Sequence, residues 1–162
     1  GFKGLVTIEK GGDFSIIDLG GVNFFRASSS FSAYIGMTRN WTLAYRLFGG
    51  YYTKLDSVAT FETEQFSLGG SNSLRGYNEL SFYGDYRFSV NIEPRYLIHD
   101  DLVAVLFMDI GFIGNEMTDS FWQNPYIGYG TGIRFLNTII PIRLDMAYGR
   151  DLMVHVNLSH SF

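Results

Sequence analysis

The stretch 66–77, which reads FSLGGSNSLRGY, contains the residues best suited to a specific polar site. Its two glycines allow backbone conformations that other residues avoid, and the serines and asparagine can hydrogen-bond their own backbone. Arg75 follows them, and its guanidinium is a planar fork of donors that can bind carboxylates through two bonds at once. We therefore predict that Arg75 forms ion pairs in a polar cavity. The motif residues are Gly69, Gly70, Ser73, Leu74, Arg75, Gly76 and Tyr77.

Alternation of apolar and polar residues with a period of two recurs along the chain, and no stretch shows helical periodicity. This pattern predicts no helix and eight strands, at about 2–10, 22–38, 41–52, 85–98, 102–112, 125–136, 139–148 and 151–162. Most have the length of about ten residues that crosses a bilayer when a strand is tilted. Tight turns alternate with long connections, as in outer-membrane barrels. The predicted fold is all-β, a transmembrane antiparallel β-barrel of eight strands in an up-and-down meander.

Length and composition are consistent with this fold and exclude some functions. The 162 residues predict one barrel domain over 1–162, with the long loop 53–84 on the extracellular side. No window is apolar enough for a membrane helix. The net charge of −4 gives no reason to expect a nucleic-acid partner.

A soluble barrel or sandwich would show the same alternation, so this alternative stays open at the level of pattern alone. Three features favour the membrane. Aromatic residues lie near the predicted strand ends, and acidic residues concentrate in the long connections. The last residue, Phe162, is in register with the apolar face of the last strand.

The alternation also sorts charged residues onto the face that would line the lumen. Glu93 and Asp109 point there from neighbouring strands, and Arg134, Arg143 and Asp145 lie on the same face of later strands. Arginines outnumber acids on this face, so each carboxylate has several candidate partners. One interpretation is that the acids merely neutralise strand arginines in a packed interior.

Several segments resemble a known family. The stretch 66–77 is similar to the F-x-x-G-G-x-x-S-[LVI]-R-G-[FY] loop of the BamA-like superfamily of outer-membrane assembly factors and two-partner-secretion transporters, the bacterial surface antigen type of barrel. Four later segments resemble strands that follow this loop in the family: 91–95 (NIEPR), 107–111 (FMDIG), 130–134 (GTGIR) and 141–148 (PIRLDMAY). The resemblance runs from about Phe24 to Phe162 and covers only the family's C-terminal eight strands.

The resemblance implies a role for the motif. In the family the loop arginine reaches into the lumen, so Arg75 is expected to pair with Glu93 and Asp109. The chain would be integral to the outer membrane of a Gram-negative-type bacterium, surrounded by lipid and lipopolysaccharide. It would insert or translocate proteins, or anchor a partner, without being an enzyme. Its C-terminal strand, ending at Phe162, would be presented to the outer-membrane assembly machinery, although His160 departs from the usual signal.

The chain departs from the family in its width, since the family's barrels have sixteen strands. Eight strands enclose an interior just wide enough for side chains, and a loop of about thirty residues would not fit inside. The loop would then cap the mouth, or two copies would form a homodimer, or the chain would be the C-terminal half of a longer protein. Unpaired strand edges are costly in lipid, so we expect the first strand, near Val6, to close on the last, near Val156.

Catalytic chemistry is less well supported. His155 and Asn157 share the lumenal face of the last strand with several serines, so a hydrolase arrangement is conceivable, but no particular serine is placed beside His155. We expect a histidine satisfied in a polar interior, no metal site and no cofactor. A second function class is a compact structural or adhesive outer-membrane barrel with acidic surface loops and no transport role.

Overall fold

The computed structural model describes residues 1–11, 23–55, 64–136 and 141–158. Within these ranges the chain forms ten strands and one short helix. The elements are β1 Phe2–Gly11, β2 Phe24–Gly36, β3 Trp41–Lys54, β4 Phe66–Leu68, β5 Phe82–Gly84, β6 Tyr86–His99, β7 Leu102–Gly114, α1 Asp119–Gln123, β8 Tyr126–Phe135, β9 Ile142–Tyr148 and β10 Leu152–Leu158.

Eight of these strands form a single antiparallel sheet in the order β1-β2-β3-β6-β7-β8-β9-β10. Each long strand pairs with the next long strand along the chain, as in a meander. The short strands β4 and β5 pair with each other in a separate two-stranded sheet. The predicted all-β meander of eight long strands is therefore confirmed.

Three elements lie where only loops were predicted. The β4–β5 pair falls inside the predicted loop 53–84, and α1 falls inside the connection between β7 and β8, so the prediction of no helix was wrong. Five residues are too few to show helical periodicity in a sequence. The helix forms because Phe121 and Trp122 pack on Phe112, with ring centroids 6.0 and 5.1 Å away. This described helix is too short and too polar to span a membrane.

The polarity of the two faces of the sheet is the reverse of that in a soluble protein. We call inner the face that carries Glu93, Asp109 and Asp145, all of which are buried. On β7 the neighbours of Asp109 on the opposite face include Leu106 and Met108, which are 60% and 42% exposed. Charges are thus inside and large apolar side chains outside. This arrangement argues against the soluble alternative, because the outer face is suited to lipid.

The sheet has two open edges in the part of the chain described. No backbone pairing joins β1 to β10 there, so the expected closure near Val6 and Val156 is not seen. Both side chains are exposed, by 73% and 62%. Arg75 and the segment around it lie against the inner face, and an eight-stranded barrel has room for little beyond its own side chains, so closure of these eight strands alone would leave little space for that segment.

Candidate functional site

The segment 66–84, which we call the inner loop, folds back on itself before it meets the sheet. The Ser73 hydroxyl donates to the carbonyl of Gly69 at 2.7 Å and accepts from its amide at 3.0 Å. The amide of Leu74 donates to the carbonyl of Gly70 at 3.1 Å. Gly69 and Gly70 have φ angles of 125° and 91°, a region that favours glycine. This tight turn presents Arg75 to the inner face.

Arg75 is bound most closely by Asp109 on β7. Arg75 donates from Nε and from its backbone amide to Oδ2 at 2.6 and 3.0 Å, and from Nη2 to Oδ1 at 2.6 Å. Burial lowers the pKa of Arg75, but the hydrogen bonds and negative charge of Asp109 outweigh it and raise the pKa above its ordinary value. The Arg75 guanidinium also lies 3.5 Å from the ring centroid of Phe107. Phe107 is two residues before Asp109 on β7 and lies on the same face of that strand. Arg75 is therefore charged and fixed in orientation.

Arg75 also joins strands that are not neighbours. Its Nη1 donates to Glu93 on β6 at 2.6 Å and to Asp145 on β9 at 3.4 Å. β6 and β9 are three steps apart in the sheet, which would separate them by about 14 Å if the sheet were flat. One nitrogen can reach both carboxylates only because the sheet curls around the inner loop. The inner face is thus concave.

Further arginines complete what we call the Arg75 cluster. Glu93 accepts from Arg95 at 2.7 Å and lies 3.5 Å from Arg134. Asp145 pairs with Arg134 and Arg143, both at 2.5 Å. Buried ion pairs of this kind are tolerated only when every charge has partners, because taking charges out of water is costly. The sequence-predicted residues Arg134, Arg143 and Asp145 therefore lie in the same cluster as Arg75.

The cluster leaves almost no free space. A cavity of about 10 Å³ remains beside Arg75, Glu93 and Arg143. Such a volume holds at most about one water molecule. The geometry suits a fixed contact between loop and wall and offers no room for a small-molecule substrate.

Sequence reasoning did not predict that Asn91 and Arg46 hold the loop, where they act beside the predicted Arg143. Asn91 donates from Nδ2 to the carbonyl of Ser73 at 2.9 Å and to Asp109 at 2.8 Å. Arg46 donates to the carbonyl of Asn72, and Arg143 to that of Ser71 at 3.0 Å. Asn91 stands inside the NIEPR segment, so its position was visible but its role was not. Wall side chains thus satisfy consecutive carbonyls of the loop.

The end of the motif is anchored to a different part of the sheet. Gly76 has a φ of 86° and packs against Gly149, where a side chain on Gly76 would overlap the backbone. Its carbonyl accepts from the amides of Arg150 and Asp151 at 3.0 and 3.3 Å. The Tyr77 hydroxyl donates to the carbonyl of Ile127 at 3.3 Å. All seven predicted motif residues therefore take part in the fold or docking of the inner loop.

Other sequence candidates do not assemble into a site. Within the described ranges, His155 makes no hydrogen bond to a serine, and its Nε2 is buried without a partner. Asn157 lies 3.5 Å from the Ser71 hydroxyl. No group of three potential metal ligands occurs among the residues described. Phe162 lies outside the described residues.

Comparisons with known proteins agree with this architecture. No curated protein matches the chain. Among solved structures, the chain is similar to BamA from Haemophilus ducreyi lacking POTRA domains 1–3, with 15% identity and a TM-score of 0.67. The match covers 83% of this chain but only 34% of that one, so the likeness concerns the fold of part of a longer protein. A family model described as the Omp85 superfamily domain matches residues 7–161, which include the inner loop and all its partners. The chain belongs to the Omp85 superfamily.

Proposed function

We propose that this chain is the membrane-embedded barrel part of an outer-membrane protein that inserts or translocates other proteins or anchors a partner. The observation that carries the proposal is the buried contact of Arg75 with Asp109, Glu93 and Asp145 in a member of the Omp85 superfamily. The proposed role is non-enzymatic, in keeping with the match to the Omp85 superfamily and with the filled Arg75 cluster.

The proposed location is the outer membrane of a Gram-negative-type bacterium. In support, the outer face carries exposed apolar side chains, and the polar face is covered by the inner loop. The inner loop joins the same ends of the strands as the connections after β1 and β7, and long connections lie extracellularly in barrels of this type. The acidic residues of these connections would then face lipopolysaccharide, while the C-terminal strand would engage the assembly machinery.

The unpaired edges of the sheet indicate what the functional assembly must contain. An unpaired strand in lipid leaves backbone groups without partners, at several kcal/mol for each group, so β1 and β10 require partners in the membrane. We propose that a second sheet of the same kind supplies them, either in a homodimer or from a longer chain. Two eight-stranded sheets joined at both seams would enclose a lumen wide enough for two inner loops.

This arrangement suggests how the chain would act on other proteins. Strand edges bind further strands through backbone hydrogen bonds, so a seam that opens can template an incoming strand. The Arg75 cluster would keep the wall rigid from β6 to β9 while the edge strands separate. Insertion would therefore proceed at an edge and not through the occupied interior.

Reconstitution tests the proposal. The chain is placed in phosphatidylcholine vesicles, an unfolded eight-stranded outer-membrane barrel is added, and its folding is followed by heat-modifiable gel migration. We expect faster folding than in empty vesicles, and loss of this gain in Arg75→Ala but not in Arg39→Ala, which alters an exposed turn. Equal rates with and without the chain would reject insertion and favour the compact structural or adhesive barrel.

A further inference from the structure

A second group of arginines lies on the inner face, apart from the Arg75 cluster. Arg26 on β2 and Arg87 on β6 line a cavity of about 330 Å³. The other lining residues are Thr7, Glu9, Ser28, Phe48, Phe66 and Ser67. Glu9, Arg26 and Arg87 lie close to the strand ends that run into the long connections. We call this space the Arg87 cavity. Most of its lining residues are polar or charged, and its volume is about ten times the ~30 Å³ that a water molecule occupies in the liquid.

Two aromatic rings hold the arginines in place. The Arg87 guanidinium lies 4.3 Å from the ring centroid of Phe48, and that of Arg26 lies 4.4 Å from Phe66. The two rings contact each other edge to face, with centroids 5.8 Å apart. Stacking uses the flat faces of the guanidiniums and leaves their N–H edges available. The rings therefore form a scaffold that directs two cations into one cavity.

In the part of the chain that the structure describes, carboxylates do not balance the positive charge of this cavity. Among the described residues, no carboxylate lies within 4.0 Å of Arg87, and its Nε is buried without a hydrogen-bond partner. Arg26 lies 4.0 Å from Glu9, whose side chain is 54% exposed. Arg75, by contrast, contacts three carboxylates. A buried donor without a partner is costly, so a bound anion would stabilise this region.

We propose that the Arg87 cavity is a binding site for a phosphate group, with Arg26 and Arg87 as its cationic ligands. Guanidinium edges from two strands and neighbouring hydroxyls would supply donors from several directions, which matches the oxygens of a tetrahedral dianion. The cavity is larger than one phosphate, so the group can be free or attached to a lipid headgroup. Phosphate binding at this cavity does not require the proposed insertion activity.

Calorimetric titration of the full chain with inorganic phosphate, in micelles of an uncharged detergent at fixed ionic strength, tests the site. We expect saturable binding that weakens about tenfold or more in Arg87→Gln and in Arg26→Gln, since each removes a charged donor. Glu9→Gln should bind more tightly, because it removes a carboxylate that lines the cavity. Arg39→Gln, at the opposite end of β2, is the control and should bind like the wild type.

A second arm identifies the source of the phosphate. Short-chain phosphatidic acid is titrated into the same micelles, with short-chain phosphatidylcholine as its control. Tighter binding of phosphatidic acid than of inorganic phosphate supports a lipid headgroup, and the reverse order supports a free anion. Heat-modifiable migration shows which variants are folded, and Arg26→Gln carries the test if Arg87→Gln does not fold. The proposal is wrong if neither probe binds, or if Arg39→Gln weakens binding as much as Arg26→Gln.

Discussion

Asp109 holds Arg75 by its backbone as well as by its side chain. One carboxylate oxygen accepts from the amide and from Nε, and the other accepts from Nη2. Both residues are almost completely buried, at 2% and 0% exposure. Because the backbone itself is bound, β7 determines where the tip of the inner loop lies. The loop is therefore part of the inner wall.

Arg75→Ala should release the inner loop while leaving the strands intact. Removing one partner of a buried pair costs about 3–5 kcal/mol, because it leaves the other charge uncompensated. We expect new protease cleavage between Lys54 and Asp85, read by mass spectrometry, with unchanged β-rich circular dichroism. Arg39→Ala is the matched control at an exposed turn. Equal resistance of all three proteins would mean that other contacts hold the loop.

Asp109→Ala should have the same effect as Arg75→Ala, and the double variant should be little worse than either single one. Two of the three hydrogen bonds between these residues come from the Arg75 side chain, and both single variants remove them, so the two effects should not add in full. The measurement is the midpoint of urea unfolding from micelles for the wild type and the three variants. Additive shifts would show that Arg75 and Asp109 act independently.

Gly128→Ala should also displace the loop, although residue 128 is not in the motif. A methyl group there would overlap the carbonyl oxygen of Arg75. We expect a loss of about 1–3 kcal/mol, as for other overpacked sites, together with increased cleavage of the loop. Gly36→Ala is the control, since a methyl group at Gly36 meets no atom within 4 Å. Cleavage of Gly128→Ala at the wild-type rate would contradict the observed contact.

Leu106→Arg tests whether the outer face contacts lipid. Leu106 is exposed in the middle of β7, where an arginine would cost about 2–4 kcal/mol in a bilayer and almost nothing in water. We expect a corresponding loss of stability in reversible urea unfolding from phospholipid vesicles. Asn40→Arg, at an exposed turn, should be nearly neutral. A neutral Leu106→Arg would place this face in water.

Cysteines at Val6 and Val156 test how the edges are covered. The chain has no cysteine of its own, and both side chains are exposed on edge strands. If two copies pair at both seams, oxidation of the double variant in vesicles should give disulfide-linked dimers on a non-reducing gel. The two single variants are the controls. An intramolecular crosslink would instead show that one chain closes on itself.

The sequence by itself determined the strands and their faces. A strand has a period of two, so alternation alone separates Glu93 and Asp109 from Leu106 and Met108. The eight-stranded meander predicted in this way agrees with the sheet that forms. The motif around Arg75 was also visible, because glycines and an arginine at these spacings are recognisable without coordinates.

Only the tertiary structure showed which residues of distant strands come into contact and which strands lie at the edges of the sheet. Asp145 reaches Arg75 because the sheet curls through three strand steps, and curvature is a property of the whole sheet that no local pattern encodes. The role of Gly128 depends on the path of a loop about fifty residues earlier in the chain. That β1 and β10 lie at the two edges of the described sheet, without pairing to each other, is likewise visible only in the assembled sheet. Whether strands close depends on the volume they must enclose, and alternation contains no information about volume.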